Sequence, residues 1–169
     1  MKYTSIFALT LFAAMSALAQ NDLSWVSQRS GLDTNSCTIT LPCKTFAGAY
    51  AKTNSGGIVK ALDAGEYGTI TITKPITIDG NGVGADIEGS SLAGMVVNGA
   101  SGPVEIRNLT IHVPASCSCY GIESLTSSVS IENVSITGTP YGGLYVYGGT
   151  ATIHGLTVTG ATPFSVSLK

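Results

Sequence analysis

Arg107, Glu132 and His154 occupy one position in three copies of a phrase: "VEIRNLTIH" from Val104, "VSIENVSIT" from Val129 and "ATIHGLTVT" from Ala151. If each copy is a rung of a stacked sheet, these side chains lie about 4.8 Å apart and point outward. A base, an acid and an imidazole at that spacing have the groups needed to hold an acidic sugar and exchange a proton with it. The simpler reading is a surface charge ladder of modest stabilising value. A second column runs Asp79, His112, Thr137, Thr159, where an Asp–His pair raises the same possibility with the same alternative. A third, Thr77, Thr110, Ser135, Thr157, is all hydroxyl. Such rows order water or sugar hydroxyls, but β-branched Thr is also what any exposed strand prefers. Tyr141, Tyr145 and Tyr147 cluster in "PYGGLYVYGG", and exposed tyrosine faces suit the apolar side of a sugar ring. One or more of these tyrosines is expected to pack into a corner instead. These are candidate ligand contacts, and no residue is assigned a catalytic role.

Two cysteine pairs complete the chemistry-bearing set. Cys37 and Cys43 flank a short loop, and in an exported protein a disulfide there is the expected reading. Cys117-Ser118-Cys119 lies five residues after His112, but no second pair at ligand spacing supplies a third and fourth donor. A loop disulfide or ordinary thiols are therefore favoured over a metal site, and no cofactor is implied.

The elements that must position these residues follow from the phrase itself. Its starts lie 25 and 22 residues apart, a period that marks a repeat architecture. Val104, Ile106, Leu109 and Ile111 alternate as inward residues, as do their counterparts in the two later copies. The alternation slips by one residue at Asn108, Asn133 and Gly155. Asn and Gly tolerate left-handed backbone, so each copy reads as a strand, a sharp bend and a second strand. "GMVV" at Gly94, "GIES" at Gly121, "GGLYV" at Gly142 and "PFSV" at Pro163 supply a third strand per turn. Three short strands per coil, each pairing only with the coils above and below, make a parallel β-solenoid of about four coils. Ile76-Thr77-Ile78-Asp79 is expected to lie over Leu109-Thr110-Ile111-His112, which makes residues 81 to 92 an inserted loop. Lys44 to Thr53 places Phe46, Ala49, Tyr50 and Thr53 at helical spacing, as a short helix that lids the open end.

The remainder of the chain fits an exported protein. Lys2, the apolar run Ile6 to Leu18 and Ala17-Leu18-Ala19 read as a secretory signal peptide cleaved near Ala19. Residues 20–56 then form the cap (strand, disulfide loop, helix) and residues 57–169 the coils. No later run is long enough for a membrane span. Charged residues are only 11 % of the chain and the formal net charge is −2. Without clustered Lys and Arg there is no footprint for nucleic acid and no basic face for an anionic membrane. After "GLTVTGA" the chain runs "TPFSVSLK", with Phe164, Val166 and Leu168 opening a coil that is not completed. Such an end predicts either a piece of a longer β-helix or end-to-end self-association.

The segment from Trp25 to Gly80, with "WVS", a D-x-N-x-C run ending at Cys37, "PCKTFAGA", "GGIVKALDAG" and "ITITKPITIDG", resembles bacterial secreted right-handed parallel β-helix proteins of the pectin-lyase-like superfamily. The resemblance covers residues 25 to 80 closely and the later coils by pattern. It implies an all-β, right-handed parallel β-helix with a short N-terminal capping helix. It is also why Asn108-Leu109-Thr110 and Asn133-Val134-Ser135 read as rungs of an internal asparagine ladder, although both match the N-glycosylation pattern. For function it implies little, since distant relatives are polysaccharide lyases and hydrolases while this subgroup is described mainly by its repeats. The acidic residues do not gather at one column of adjacent coils, and four coils give a short groove. A noncatalytic β-helix that binds a polysaccharide or cell-surface glycan, or forms part of a surface, is favoured. A lyase or hydrolase, and a purely structural repeat without ligand, are the alternatives.

Overall fold

The computed structural model describes residues 20–89, 93–138, 141–160 and 164–169, so the expected signal peptide lies outside the described residues. The chain is a parallel β-solenoid. Its elements are β1 (Asn21–Val26), α1 (Phe46–Ala51), β2 (Thr53–Ala61), β3 (Gly65–Glu66), β4 (Ile70–Ile72), β5 (Ile76–Asp79), β6 (Ala85–Glu88) and β7 (Ala93–Val97). They continue through β8 (Val104–His112), β9 (Tyr120–Ser124), β10 (Val129–Thr137), β11 (Gly142–Val146), β12 (Ala151–Thr159) and β13 (Phe164–Leu168). One sheet runs β1-β2-β5-β8-β10-β12, with β6 also paired to β8 and β3 to β6; the other runs β4-β7-β9-β11-β13. All of these strand pairings are parallel.

The bend expected in each repeat is present and its cause is visible. Asn108, Asn133 and Gly155 have φ of 55°, 51° and 77°, the left-handed region that Asn and Gly enter most easily. Each bend turns β8, β10 and β12 through a corner, so the residues on both sides of it point inward. Val104, Ile106, Leu109 and Ile111, with Val129, Ile131, Val134 and Ile136 above them, are buried. The glycines that open β7 and β9 have a packing reason. A Cβ on Gly94 would overlap Ile111 Cγ2, and one on Gly121 would overlap Ile136 Cγ2.

β1 adds to the solenoid beside β2, and the Cys37–Cys43 disulfide closes the loop before α1. Thr45 caps the helix by accepting from Gly48 N–H, and Asp33 Oδ1 accepts from Lys44 and Thr45 N–H. The helix is shorter than the expected 44 to 53. It buries Phe46 and Ala49, with the Phe46 ring 5.0 Å from that of Tyr67.

The first coil departs from the expected register. Ile76–Asp79 stacks on Val104–Arg107, with Ile76 opposite Val104 and Asp79 opposite Arg107. The place beside Leu109–His112 is taken by Ala85–Glu88, inside the stretch expected to be an inserted loop. The reason is the corner. Where later coils turn on one residue, this coil turns on Gly80-Asn81-Gly82-Val83-Gly84, with positive φ at Asn81, Gly82 and Gly84.

At the other end, Ile153 is 38 % and Leu168 is 68 % exposed. Both would be interior one coil further in.

Candidate functional site

The corrected register moves Asp79 out of its expected column and into that of Arg107. Lys60, Asp79, Arg107, Glu132 and His154 form one row across five rungs of the first sheet, the first four alternating in charge. Its inner part is an ion-pair network. Asp79, 3 % exposed, has Arg107 Nε at 3.1 Å and Lys60 Nζ at 3.6 Å. Asp79 Oδ1 also accepts from Asn81 N–H at 2.7 Å and Asn108 Nδ2 at 3.0 Å. Burial alone would raise this carboxyl's pKa, but the bonds from Asn108 and Asn81 and the Arg107 charge outweigh it and hold it below the ordinary value. Arg107 is shared with Glu105, whose other oxygen accepts from Thr77 Oγ1. Burial opposes the charge on Arg107, yet the two carboxylates raise its pKa.

Arg107 therefore turns toward Asp79 and Glu105, leaving the Glu132 carboxylate without a partner among the described residues. Glu132 and His154 are register neighbours and both exposed, but no bond joins them. The Asp79–His112 pairing is overturned, because Asp79 belongs to the Arg107 row. His112 instead lies opposite Glu88, 4.0 Å from its carboxylate, and its Nδ1 is 2.9 Å from Thr137 Oγ1. Thr77 likewise leaves the hydroxyl column, where Asp86 stands beside Thr110, Ser135 and Thr157.

The asparagine ladder is present. Asn133 Nδ2 donates to Asn108 Oδ1 at 3.4 Å, and Asn108 passes the chain on to Asp79. This row is the structural spine of the corner.

The second sheet carries a different arrangement on its outer face. Tyr120 at the start of β9 stacks on Tyr145 of β11, ring centroids 4.9 Å apart and planes 17° from parallel. Tyr147 continues the set, 6.4 Å from Tyr145 at 20°, and Tyr141 meets Tyr120 edge-on at 6.3 Å. Tyr141 and Tyr147 are half exposed, at 50 % and 56 %. A groove of about 460 Å³ runs beside Tyr120, Tyr141 and Tyr145, bordered also by Ser118, Glu123, Ser167 and Lys169. The Cys117–Cys119 disulfide closes the loop that leads into Tyr120. Glu123 is partly buried directly opposite Tyr145, and its carboxylate has no hydrogen-bond or ion-pair partner among the described residues.

Sequence reasoning singled out Tyr145 but missed Tyr120 and Glu123. Glu123 alternates outward from the buried Ile122 and Ser124 in "YGIES", whereas Tyr120 shares their parity and would be read as inward; that either meets Tyr145 depends on the register between β9 and β11. A hollow of about 530 Å³ at the capped end, between Asn35, Lys52 and Asn54, offers less. The Lys52 ammonium there is already held by the Asp33 and Asn35 carbonyls. Among the described residues no three His, Cys, Asp or Glu side chains are grouped to hold a metal, and no helix is long and apolar enough to cross a membrane. Comparison with protein-family models, curated proteins and solved structures finds no match to this chain.

Proposed function

We propose that this protein is a secreted, noncatalytic β-solenoid that binds carbohydrate in the tyrosine groove of its second sheet. The observation that carries the reading is the near-parallel pair Tyr120 and Tyr145 lining the groove with Glu123, whose carboxylate has no partner among the described residues. Tyrosine rings bury the C–H face of a pyranose, while the carboxylate accepts from ring hydroxyls. The row first singled out for chemistry supports the same choice from the other side. Asp79 and Arg107 are engaged with each other and with the corner, which suits a structural role rather than proton transfer. Two disulfides fit an oxidising compartment. The opening motifs and the solenoid together support a place among pectin-lyase-like β-helices, within which a lyase or hydrolase is the alternative.

A glycan array paired with a depolymerisation screen tests the proposal. The expected result is binding without cleavage, weakened at least tenfold by Tyr145→Ala, a loss of about 1.4 kcal/mol. Cleavage of any polysaccharide, or binding indifferent to Tyr145, overturns it.

A further inference from the structure

Resting on the groove as the sugar site, we propose that Glu123 sets its selectivity: the groove takes pyranose rings that carry no carboxylate and turns uronates away. Glu123 sits on β9 with Tyr145 opposite it on one side and Val96 on the other. A ring laid against Tyr145 is thus one rung from this carboxylate, about 4.8 Å along the solenoid. The carboxylate is partly buried, with no donor among the described residues. A charged acceptor in that state is satisfied by a ligand that brings O–H donors, and its two oxygens can engage two hydroxyls of one sugar.

A uronate at the same place brings a second negative charge into a site partly shielded from water, where like charges repel more strongly than in bulk. Lys169 borders the groove but does not cancel this. It is exposed, and its ammonium forms no ion pair among the described residues. A hydrated charge on a flexible stem acts weakly at ordinary salt. Arg107, the cation that first pointed toward acidic sugars, lies on the other sheet and is held by Asp79 and Glu105.

The test uses oligosaccharide pairs of equal length that differ only at C6. One pair is a cello-oligosaccharide and its β-1,4-linked glucuronate counterpart; the other is methyl-esterified and free oligogalacturonate. Calorimetric titration of the mature chain is expected to show at least tenfold tighter binding of a neutral member than of its acidic partner. Glu123→Gln, which keeps shape and removes charge, is expected to narrow that ratio to within about threefold, with an unchanged melting temperature as the folding control. Tyr145-dependent binding in which the uronate is equal or tighter sinks the selectivity proposal and leaves the groove standing. A ratio that survives Glu123→Gln does the same. No Tyr145-dependent binding of any probe sinks both.

Discussion

Arg107 Nε lies 3.1 Å from Asp79 Oδ2 across two adjacent coils, and the carboxylate it reaches is almost wholly buried. The two ends of this pair are not equivalent. Asp79 is the hub, accepting from Asn81 and Asn108 as well, whereas Arg107 is partly exposed and has Glu105 as a second partner. Asp79→Ala takes the acceptor away from Asn81, Asn108, Arg107 and Lys60 at once and is expected to cost about 3 kcal/mol. Arg107→Ala leaves the carboxylate its two N–H donors and Lys60, and is expected to cost about 1 kcal/mol. Urea denaturation of the two variants measures the difference. Equal losses would show that the pair, not the hub, holds the corner.

A second expectation concerns the interior. Ile131 is fully buried between Ile106 and Ile153, while Thr137 lies on the outer face near His112. Ile131→Asp places an unpaired carboxylate in a close-packed stack and costs several kcal/mol, enough to unfold most domains of this size. Thr137→Ala is expected to change stability by no more than about 0.5 kcal/mol. Equal melting temperatures would contradict the inside and outside assigned to these strands.

Much of this geometry was legible because a solenoid writes its core locally. Ile106, Leu109, Ile131 and Val134 alternate with polar residues, and the one-residue slip at Asn108 and Asn133 marks the corner without reference to any distant segment. The first coil was not legible for the converse reason. Ile76 and Ile78 alternate equally well against Val104 and Ile106 or against Leu109 and Ile111, so the choice falls to how the five-residue corner Gly80–Gly84 folds. That one ambiguity moved Asp79 and Thr77 into the wrong columns. The charge row failed in another way: alternation along Arg107, Glu132 and His154 is visible in sequence, but which neighbour Arg107 turns to depends on Glu105 and on the buried Asp79. The groove needed a register between β9 and β11 that no single strand encodes.

Acid should weaken the fold through two carboxyls whose pKa values are depressed. Burial of Asp63 acts to raise its pKa, but bonds from Tyr67, Ser27 and the backbone of Gln28 and Arg29 outweigh it and bring the value from 3.8 to about 2. Asp79 is lowered in the same direction. A carboxyl with a depressed folded pKa binds protons more readily when unfolded. Its stabilisation is complete above the unfolded value, near 3.8 for Asp63, and is lost as pH falls through the folded value, near 2. Melting temperature is expected to be flat in its Asp63 contribution above about pH 5 and to fall between pH 4 and 2. Asp63→Asn should start lower at neutral pH and fall less steeply. A parallel decline in both proteins would place the acid sensitivity elsewhere.

The asparagine row separates two reasons for the same residue. At Asn108 the backbone has φ of 55°, and the side chain donates to Asp79 and accepts from Asn133. Asn108→Gly keeps the left-handed backbone free of strain, removes the bonds and adds the chain entropy of glycine, for an expected loss of about 1–2 kcal/mol. Asn108→Ala removes the bonds and adds the Cβ penalty of that backbone region, about 1–2 kcal/mol more. The top of the row supplies the control. Gly155 has φ of 77° and offers no side-chain bond, so Gly155→Ala should carry the backbone penalty plus the crowding of its new Cβ against Asn133 Oδ1 at 3.0 Å. The difference between Ala and Gly at position 108 should therefore not exceed the loss caused by Gly155→Ala, read from denaturant midpoints at constant slope. If Ala and Gly at position 108 prove equally destabilising while Gly155→Ala is costly, the corner at Asn108 relaxes out of the left-handed region, and its asparagine is held there for the ladder alone.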